Sequence, residues 1–245
     1  MFLDVHLEYC DDKGERLKKL AELGKPFSLS LVPIFTNLEH YLFKEEYGVY
    51  EKNQAYSSEI IDFLKDIPKN FPHIMFGQQG FTHFCKPCYK SRKRRDPWHE
   101  NKCLYGGSRK YIEQVRLMEI GKEIIEDTFD ISPELYAPPN HQHDLNTKLA
   151  AKEVGYKYFG VKGLLAVSPY VDGKLMILPQ RKVTQGGEMF YIHYDEIAKR
   201  LERCIEIINN SRPLSEVEKR QKNIFDSVNE TAVPIFKRAR DLGLR

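Results

Sequence analysis

The sequence predicts an α/β protein built on a mainly parallel sheet or barrel. Short apolar strands alternate with amphipathic helices along much of the chain, which is the pattern of repeated strand–helix units. The 245 residues can bury a sizeable core, and 41% hydrophobic with 30% charged residues is the usual balance of a globular domain. We therefore treat 1–245 as one domain.

The first half of the chain supplies three predicted strands and two predicted helices. Phe2–Tyr9 alternates apolar and polar side chains, which predicts a strand carrying Asp4, His6 and Glu8 on one face. The helix that follows ends at Gly24, a residue suited to a C-cap. In order, the elements after the first strand are a helix over Lys13–Leu23, a strand over Phe27–Phe35, a helix over Ser57–Lys65 and a strand over His73–Phe76.

The second half continues the alternation. Lys110–Asp127 has an apolar stripe at helical spacing, and Gly155 ends the next helix. The predicted helices are Lys110–Asp127, Leu145–Val154, Asp195–Asn209 and most of Leu214–Leu242; the predicted strands are Leu135–Ala137, Tyr158–Val161, Leu175–Leu178 and Phe190–His193. Residues 210–245 form a predicted C-terminal helical extension.

The charge, the apolar runs and the cysteine count of the sequence limit the classes of protein to which the chain can belong. A formal charge of +3 is too small to indicate nucleic acid by itself, and no run of about 20 apolar residues predicts a spanning helix. The first residues carry no basic segment followed by an apolar one, so no signal peptide is expected. Five cysteines, an odd number, fit a reducing compartment better than a disulfide framework, so we expect a cytoplasmic location.

Polar side chains recur where the predicted strands end. In parallel α/β folds these carboxyl ends meet at one edge, where reactive groups collect. The segments concerned are Asp4 with His6, Gln79–His83, Asn140 with His141 and His143, and His193. We expect them to line one site.

The order of these segments resembles the polysaccharide deacetylase superfamily, the NodB-homology group of carbohydrate esterase family 4. The family's first-strand Asp corresponds to Asp4, and its His-x-x-x-His motif falls on Gln79–His83. Its Arg-Pro-Pro loop falls on Ala137–Pro139, and its final Leu-x-His falls on Tyr191–His193. The chain looks like a divergent branch of the surface-glycan biosynthesis type.

The resemblance implies a distorted (β/α)7-type barrel that holds one divalent metal, most simply zinc, and hydrolyses an N-acyl group of a sugar. It implies that Asp4 is the base or a ligand, that His83 is a ligand and that His193 is the general acid. Pro139, Asn140 and Tyr191 would contact the substrate.

The chain departs from the family's pattern at the site itself. Gln79 replaces the first motif histidine, Ala137 replaces the arginine, and Val5 follows Asp4 where a second Asp is usual. His6 and His141 offer imidazoles nearby, so a rewired ligand set drawn from His6, His83, Gln79 and His141 is one hypothesis. Loss of the metal, leaving a glycan-binding relative without hydrolysis, is the alternative.

A second metal site is predicted in the inserted segment 84–108. Cys85-x2-Cys88-x10-His99-x3-Cys103 has the spacing of a structural zinc site, although His83 competes with His99 as the fourth ligand. Such a zinc would stabilise a basic loop that has no apolar core of its own.

The composition of the same segment is consistent with two kinds of binding partner. Lys86–Arg95 contains six basic residues, which favours an anionic sugar-linked substrate over a neutral one. Nucleic-acid binding is the less favoured reading of this basic loop. An N-acylated carbohydrate, neutral or anionic, is the expected substrate.

Overall fold

The structure, a computed structural model, describes residues 1–8, 13–36, 56–82, 101–103, 107–163 and 168–223. Ten strands lie within these ranges: β1 Phe2–Leu7, β2 Phe27–Leu31, β3 Ile74–Gln79, β4 Lys102–Cys103, β5 Gly107–Ser108, β6 Leu135–Ala137, β7 Tyr158–Lys162, β8 Tyr170–Asp172, β9 Leu175–Lys182 and β10 Met189–His193. The α-helices described are α1 Glu15–Ala21, α2 Pro33–Thr36, α3 Ser58–Asn70, α4 Tyr111–Phe129, α5 Leu145–Val154, α6 Ile197–Asn209 and α7 over 214–223.

Seven parallel strands close into a barrel. Their order is β1-β2-β3-β6-β7-β9-β10, and β10 pairs with both β9 and β1 to complete the ring. β8 adds an antiparallel strand outside the ring, paired to β9, while β4 and β5 form a separate ribbon. The helices surround the ring, so the predicted (β/α)7-type barrel is confirmed.

Most of the apolar core lies between the strands and the surrounding helices. Leu3, Val5 and Leu7 of β1 point outward into a cluster that includes Leu17 of α1 and Ile208 of α6. The alternation of side chains along a strand then turns Asp4 and His6 toward the barrel interior. The period-two pattern of the first strand therefore decides which residues can reach the site.

The barrel interior is layered from apolar to polar. At the amino ends of the strands, Phe2, Tyr158 and Met189 belong to an apolar cluster. Above them lie buried polar side chains, which are Asp4, Ser28, Ser30 and Gln180. A Cβ at Gly160 would lie 2.6 Å from Oε1 of Gln180, so the glycine makes room for that amide.

Several predicted boundaries differ from the structure. β2 ends at Leu31, because Pro33 has no N–H for a strand ladder and instead begins α2. α3 runs five residues beyond the predicted Lys65, to Asn70, and β3 extends to Gln79. β8 was not predicted, and β9 continues to Lys182 rather than ending at Leu178.

Other predictions fall on residues that the structure does not describe. These are the zinc ligands of the segment 84–108, apart from the backbone of Cys103, and the extension beyond residue 223. Across the described ranges, no helix is long and apolar enough to cross a membrane.

Candidate metal centre

The candidate site lies at the carboxyl ends of the barrel strands. β1 and β10 are neighbours, and their register sets His6 beside His193. Side chains paired in this way on adjacent parallel strands point to the same face of the sheet. Two imidazoles from distant parts of the sequence are therefore brought together by strand pairing alone.

Glu8 completes a group of three potential metal ligands. One ligand atom each from His6, Glu8 and His193 lies within 4.8 Å of the other two. His193 Nδ1 is 3.0 Å from Glu8 Oε1. Two imidazoles and a carboxylate form a ligand set that zinc takes in catalytic sites, where a fourth position is left for water or substrate. These residues fit a divalent metal.

Asp4 lies beneath this group and is enclosed by donors. Its Oδ1 accepts hydrogen bonds from the hydroxyls of Ser28 and Ser30, at 2.7 and 2.8 Å. Its Oδ2 accepts from Gln180 Nε2 at 2.8 Å and from His6 Nε2 at 3.0 Å. Burial alone would raise the pKa of Asp4, but its electrostatic interaction with the His6 imidazole and these hydrogen bonds outweigh burial and lower the pKa.

The contact with Asp4 fixes the tautomer of His6. Because an ionised carboxylate only accepts, Nε2 of His6 carries the proton and Nδ1 presents its lone pair to the mouth of the barrel. A carboxylate that orients a ligating histidine from its far side is a recurrent arrangement around bound metals. His6 is thus held in the tautomer that ligation requires.

Gln79 contacts two of the three candidate ligands. Its Nε2 lies 3.1 Å from His6 Nδ1 and donates to Glu8 Oε1 at 2.6 Å. The amide nitrogen therefore faces two acceptors that a cation would also use. Metal binding at this group requires the Gln79 amide to turn away from at least one of them.

His141 and Tyr191 form the wall beside His6. The ring centroids of His141 and Tyr191 are 4.2 Å apart, and His141 lies 5.4 Å from His6. Neither ring nitrogen of His141 has a hydrogen-bond partner among the described residues, although the side chain is buried. Burial, followed by electrostatic interactions with the imidazoles of His6 and His193, lowers the pKa of His141 well below its ordinary value.

The pKa of His193 is shifted in the opposite direction from that of His141. Burial acts to lower its pKa, but the hydrogen bond and charge of Glu8, helped by Glu196 and Asp195, raise the pKa overall. The pKa values of the two histidines at the barrel mouth are therefore shifted in opposite directions, down for His141 and up for His193.

The loop after β6 carries backbone strain where it reaches the site. Asn140 and His141 have φ values of 50° and 53°, a left-handed conformation that non-glycine residues adopt at a cost. Pro139 begins the 3-10 turn and is buried. The strained turn directs His141 toward His6.

The structure thus brings together most of the described residues that the sequence singled out. Asp4, His6, Gln79, His141, Tyr191 and His193 share the barrel mouth, with Pro139 and Asn140 on its rim. His143 is directed elsewhere, since its ring packs on Phe159 and its Nδ1 lies 3.1 Å from the carbonyl oxygen of His141. His83 lies outside the described residues, so its role as a ligand stays a prediction.

Glu8 is the residue that sequence reasoning did not include in the site. It follows His6 on the same face of the first strand, two residues nearer the mouth. That spacing was the available signal.

Comparisons with known proteins agree on the fold. The structure is similar to the Xyl-CE4 domain of a multidomain xylanase from the hindgut metagenome of Trinervitermes trinervoides, with 10% identity, 90% of this chain and 91% of that chain covered, and a TM-score of 0.51. It is also similar to 4-α-glucanotransferase from Thermococcus litoralis, with 10% identity and a TM-score of 0.52 over 89% of this chain and 38% of that chain. A putative polysaccharide deacetylase from Mycobacterium smegmatis matches at 12% identity and a TM-score of 0.45, over 95% of this chain and 78% of that chain.

The likenesses to the Xyl-CE4 domain and to the glucanotransferase define the class of fold, which is a barrel. The chain shares the barrel fold of the Xyl-CE4 domain, so the resemblance found in the sequence is confirmed at the level of fold. No family model and no curated protein sequence matches the chain.

Proposed function

We propose that the protein is a metal-dependent hydrolase that removes an N-acyl group, acetyl or formyl, from a sugar or sugar-linked intermediate. The observation that carries this proposal is the convergence of His6, Glu8 and His193 at the barrel mouth, with their ligand atoms within 4.8 Å of one another. The barrel fold shared with the Xyl-CE4 domain supports a carbohydrate substrate.

The proposed roles differ in part from those implied by the resemblance. His6, Glu8 and His193 hold the metal, and Asp4 positions His6 instead of acting as the base. Four donors occupy the carboxylate of Asp4, which is fully buried, so it has no free lone pair directed at a substrate. His193 serves as a ligand beside Glu8 in place of the general acid.

A bound divalent metal would polarise the acyl carbonyl and make a water molecule more acidic. His141 is the residue that moves the proton in this proposal. Both of its ring nitrogens are without a partner among the described residues, and its ring lies against His6 and Tyr191. A neutral imidazole can accept a proton at one nitrogen and return it to the departing amine. Tyr191 closes the wall of the site and excludes water from that side.

The test compares Glu8→Gln with Glu134→Gln, a matched change at a partly exposed residue outside the site. Acetate and formate release from N-acetylated and N-formylated sugars is measured after incubation with zinc, together with zinc content by mass spectrometry. Loss of a ligand carboxylate should lower the rate by at least about 100-fold and remove one metal per chain, while Glu134→Gln behaves as wild type. Undiminished hydrolysis by Glu8→Gln would refute the metal site.

His141→Gln separates proton transfer from metal binding. Removal of a general acid–base group lowers kcat by about 100-fold or more, so we expect a slow variant that keeps its full metal content. If His141→Gln loses metal along with activity, His141 is a ligand, as the sequence suggested.

A catalytically degenerate glycan-binding relative is the second candidate. It is favoured by one contact, the Gln79 amide that donates to both His6 and Glu8. In that case zinc content stays the same in Glu8→Gln and wild type, and neither protein releases an acyl group from any sugar of the panel.

A further inference from the structure

A small pocket opens beside the candidate metal centre, at the carboxyl ends of β7 and β9 and next to Tyr191 of β10. Its volume is about 190 Å³. The pocket is lined by Lys162, Gly163, Gln180, Arg181, Lys182, Gln185 and Tyr191. Tyr191 is shared by the two sites, because its ring also contacts His6 and His141.

Strand pairing explains why two lysines face this pocket. Lys162 of β7 pairs with Gln180 of β9, and Lys182 of β9 pairs with Tyr191 of β10. Gln180 and Lys182 are two residues apart and so share the inward face of β9. The charge of Lys162 also contributes to lowering the pKa of His141, which places this lysine near the mouth.

The cations of the pocket have no acidic partner in the described part of the chain. Lys162 and Lys182 are exposed and form no ion pair there. Arg181 donates to the carbonyl of Gly186 at 2.5 Å, while its buried Nε has no partner among described residues. Uncompensated positive charge on one side of a cleft favours the binding of anions.

A buried amide in the same pocket also lacks a donor. Gln180 is 1% exposed and gives its Nε2 to Asp4, whereas its Oε1 has no hydrogen-bond partner among the described residues. A buried carbonyl oxygen without a donor is costly in the absence of a ligand. A hydroxyl group of a bound sugar would supply the donor that this oxygen lacks.

We propose that this pocket binds an anionic group carried by the substrate, so that the substrate is an acidic N-acyl sugar. Lys162, Lys182 and Arg181 would bind a carboxylate or phosphate, Gln180 Oε1 would accept from a sugar hydroxyl, and the sugar ring would pack on Tyr191. Because Tyr191 separates the pocket from His6 and His141, the anionic group and the acyl group belong to the same or adjacent sugars. This inference rests on the proposed function for the identity of the reacting group.

The test is a comparison of three probes. N-acetylglucosamine is neutral, N-acetylglucosamine 1-phosphate carries a phosphate, and N-acetylglucosaminuronic acid carries a carboxylate. Binding to the full chain is measured by calorimetry in the Glu8→Gln background, which limits turnover during the titration. At least one charged probe should bind about tenfold or more tightly than the neutral sugar, which is the size of effect expected from one charge-assisted hydrogen bond. The probe that shows the preference identifies phosphate or carboxylate as the anion.

The variant Lys162→Gln/Lys182→Gln should lose that preference without weakening the neutral sugar. Lys65→Gln/Lys69→Gln, which removes the same charge from exposed positions on α3, is the matched control and should keep the preference. Equal binding of charged and neutral probes, or a preference that survives in Lys162→Gln/Lys182→Gln, would overturn the proposal.

Acetate release by the wild-type chain distinguishes this failure from failure of the proposed function. If charged probes bind more tightly but no probe is hydrolysed, the proposed hydrolase function is contradicted and the anion pocket is supported. If charged and neutral sugars are hydrolysed equally fast, the anion pocket is contradicted and the proposed hydrolase function is supported.

Discussion

The carboxylate of Asp4 connects three strands of the barrel at the level of single residues. It accepts from Ser28 and Ser30 of β2 and from Gln180 of β9, while it also holds His6 of its own strand. Hydrogen bonds to a buried charge are stronger than neutral ones, and a donor left without its acceptor keeps the whole cost of desolvation. Asp4 therefore contributes to stability as well as to the orientation of a ligand.

Replacement of Asp4 by Asn should lower the free energy of unfolding by about 2–4 kcal/mol, because an amide nitrogen would face donors where an oxygen now accepts. Urea denaturation followed by circular dichroism measures this difference. Asp66→Asn on the exposed face of α3 is the control and should change the free energy of unfolding by less than about 0.5 kcal/mol. A loss at Asp4 no larger than in this control would contradict the structural role of the carboxylate.

The residues of the site were predictable where strand periodicity or a motif marked them. Asp4, His6 and His193 follow from alternation along their strands and from the position of strand ends. The hydrogen bond between His6 and Asp4 could not be predicted in the same way. Which ring nitrogen of His6 faces Asp4 depends on how the side chains pack. Glu8 was missed for a related reason, because only the pairing of β1 with β10 shows that His193 reaches it.

At the scale of elements, β8 is attached to the barrel through charge pairs with α5. Asp172 accepts from Lys152 Nζ at 2.6 Å and from Lys148 Nζ at 2.9 Å. The hydrogen bond from Lys152, followed by that from Lys148, lowers the pKa of Asp172. The three side chains are only partly buried, so solvent screens the pairs.

Asp172→Asn should lower the free energy of unfolding by up to about 1 kcal/mol at pH 7. Because the pKa is lower in the folded state, the stabilisation is complete above the unfolded pKa of about 4 and is lost as pH falls through the folded value. The difference between wild type and variant in urea denaturation should therefore shrink between pH 6 and pH 3. A difference that stays constant over that range would show that the charge pairs are not its source.

Sequence periodicity identified most of the long elements but not the short ones. α4 and α5 were predicted to within two residues of their ends, because each has an apolar stripe and α5 also has caps at both ends. β8 escaped detection since its three residues are partly or fully exposed and are held by a partner strand rather than by an apolar face. The end of β2 at Leu31, two residues before Pro33, follows from a local rule that the predicted strand to Phe35 does not obey.

At the scale of the whole molecule, the metal account predicts two ions in different places. One is the ion proposed for His6, Glu8 and His193, and the other is the zinc predicted from Cys85, Cys88, His99 and Cys103. Wild-type protein purified with zinc should contain two ions per chain. Glu8→Gln should contain one, and Cys85→Ser/Cys88→Ser should also contain one while it keeps the barrel ion.

The barrel ion should also stabilise the fold. A metal that binds the folded state alone raises the free energy of unfolding by about 2.7 kcal/mol at a free concentration 100 times its Kd. Because the cysteine site responds to zinc as well, the informative quantity is the rise in Tm of wild type minus that of Glu8→Gln. That difference should be positive, and a value of zero would mean that Glu8 holds no ion.

Anomalous diffraction at the zinc edge, from crystals grown with zinc, tests the central claim most directly. The account predicts a strong peak within bonding distance of His6, Glu8 and His193, with the Gln79 amide turned away from at least one of these ligands. A map that shows no anomalous peak among these three side chains, even if one appears beside the cysteines, would contradict the metal centre and the hydrolase built on it.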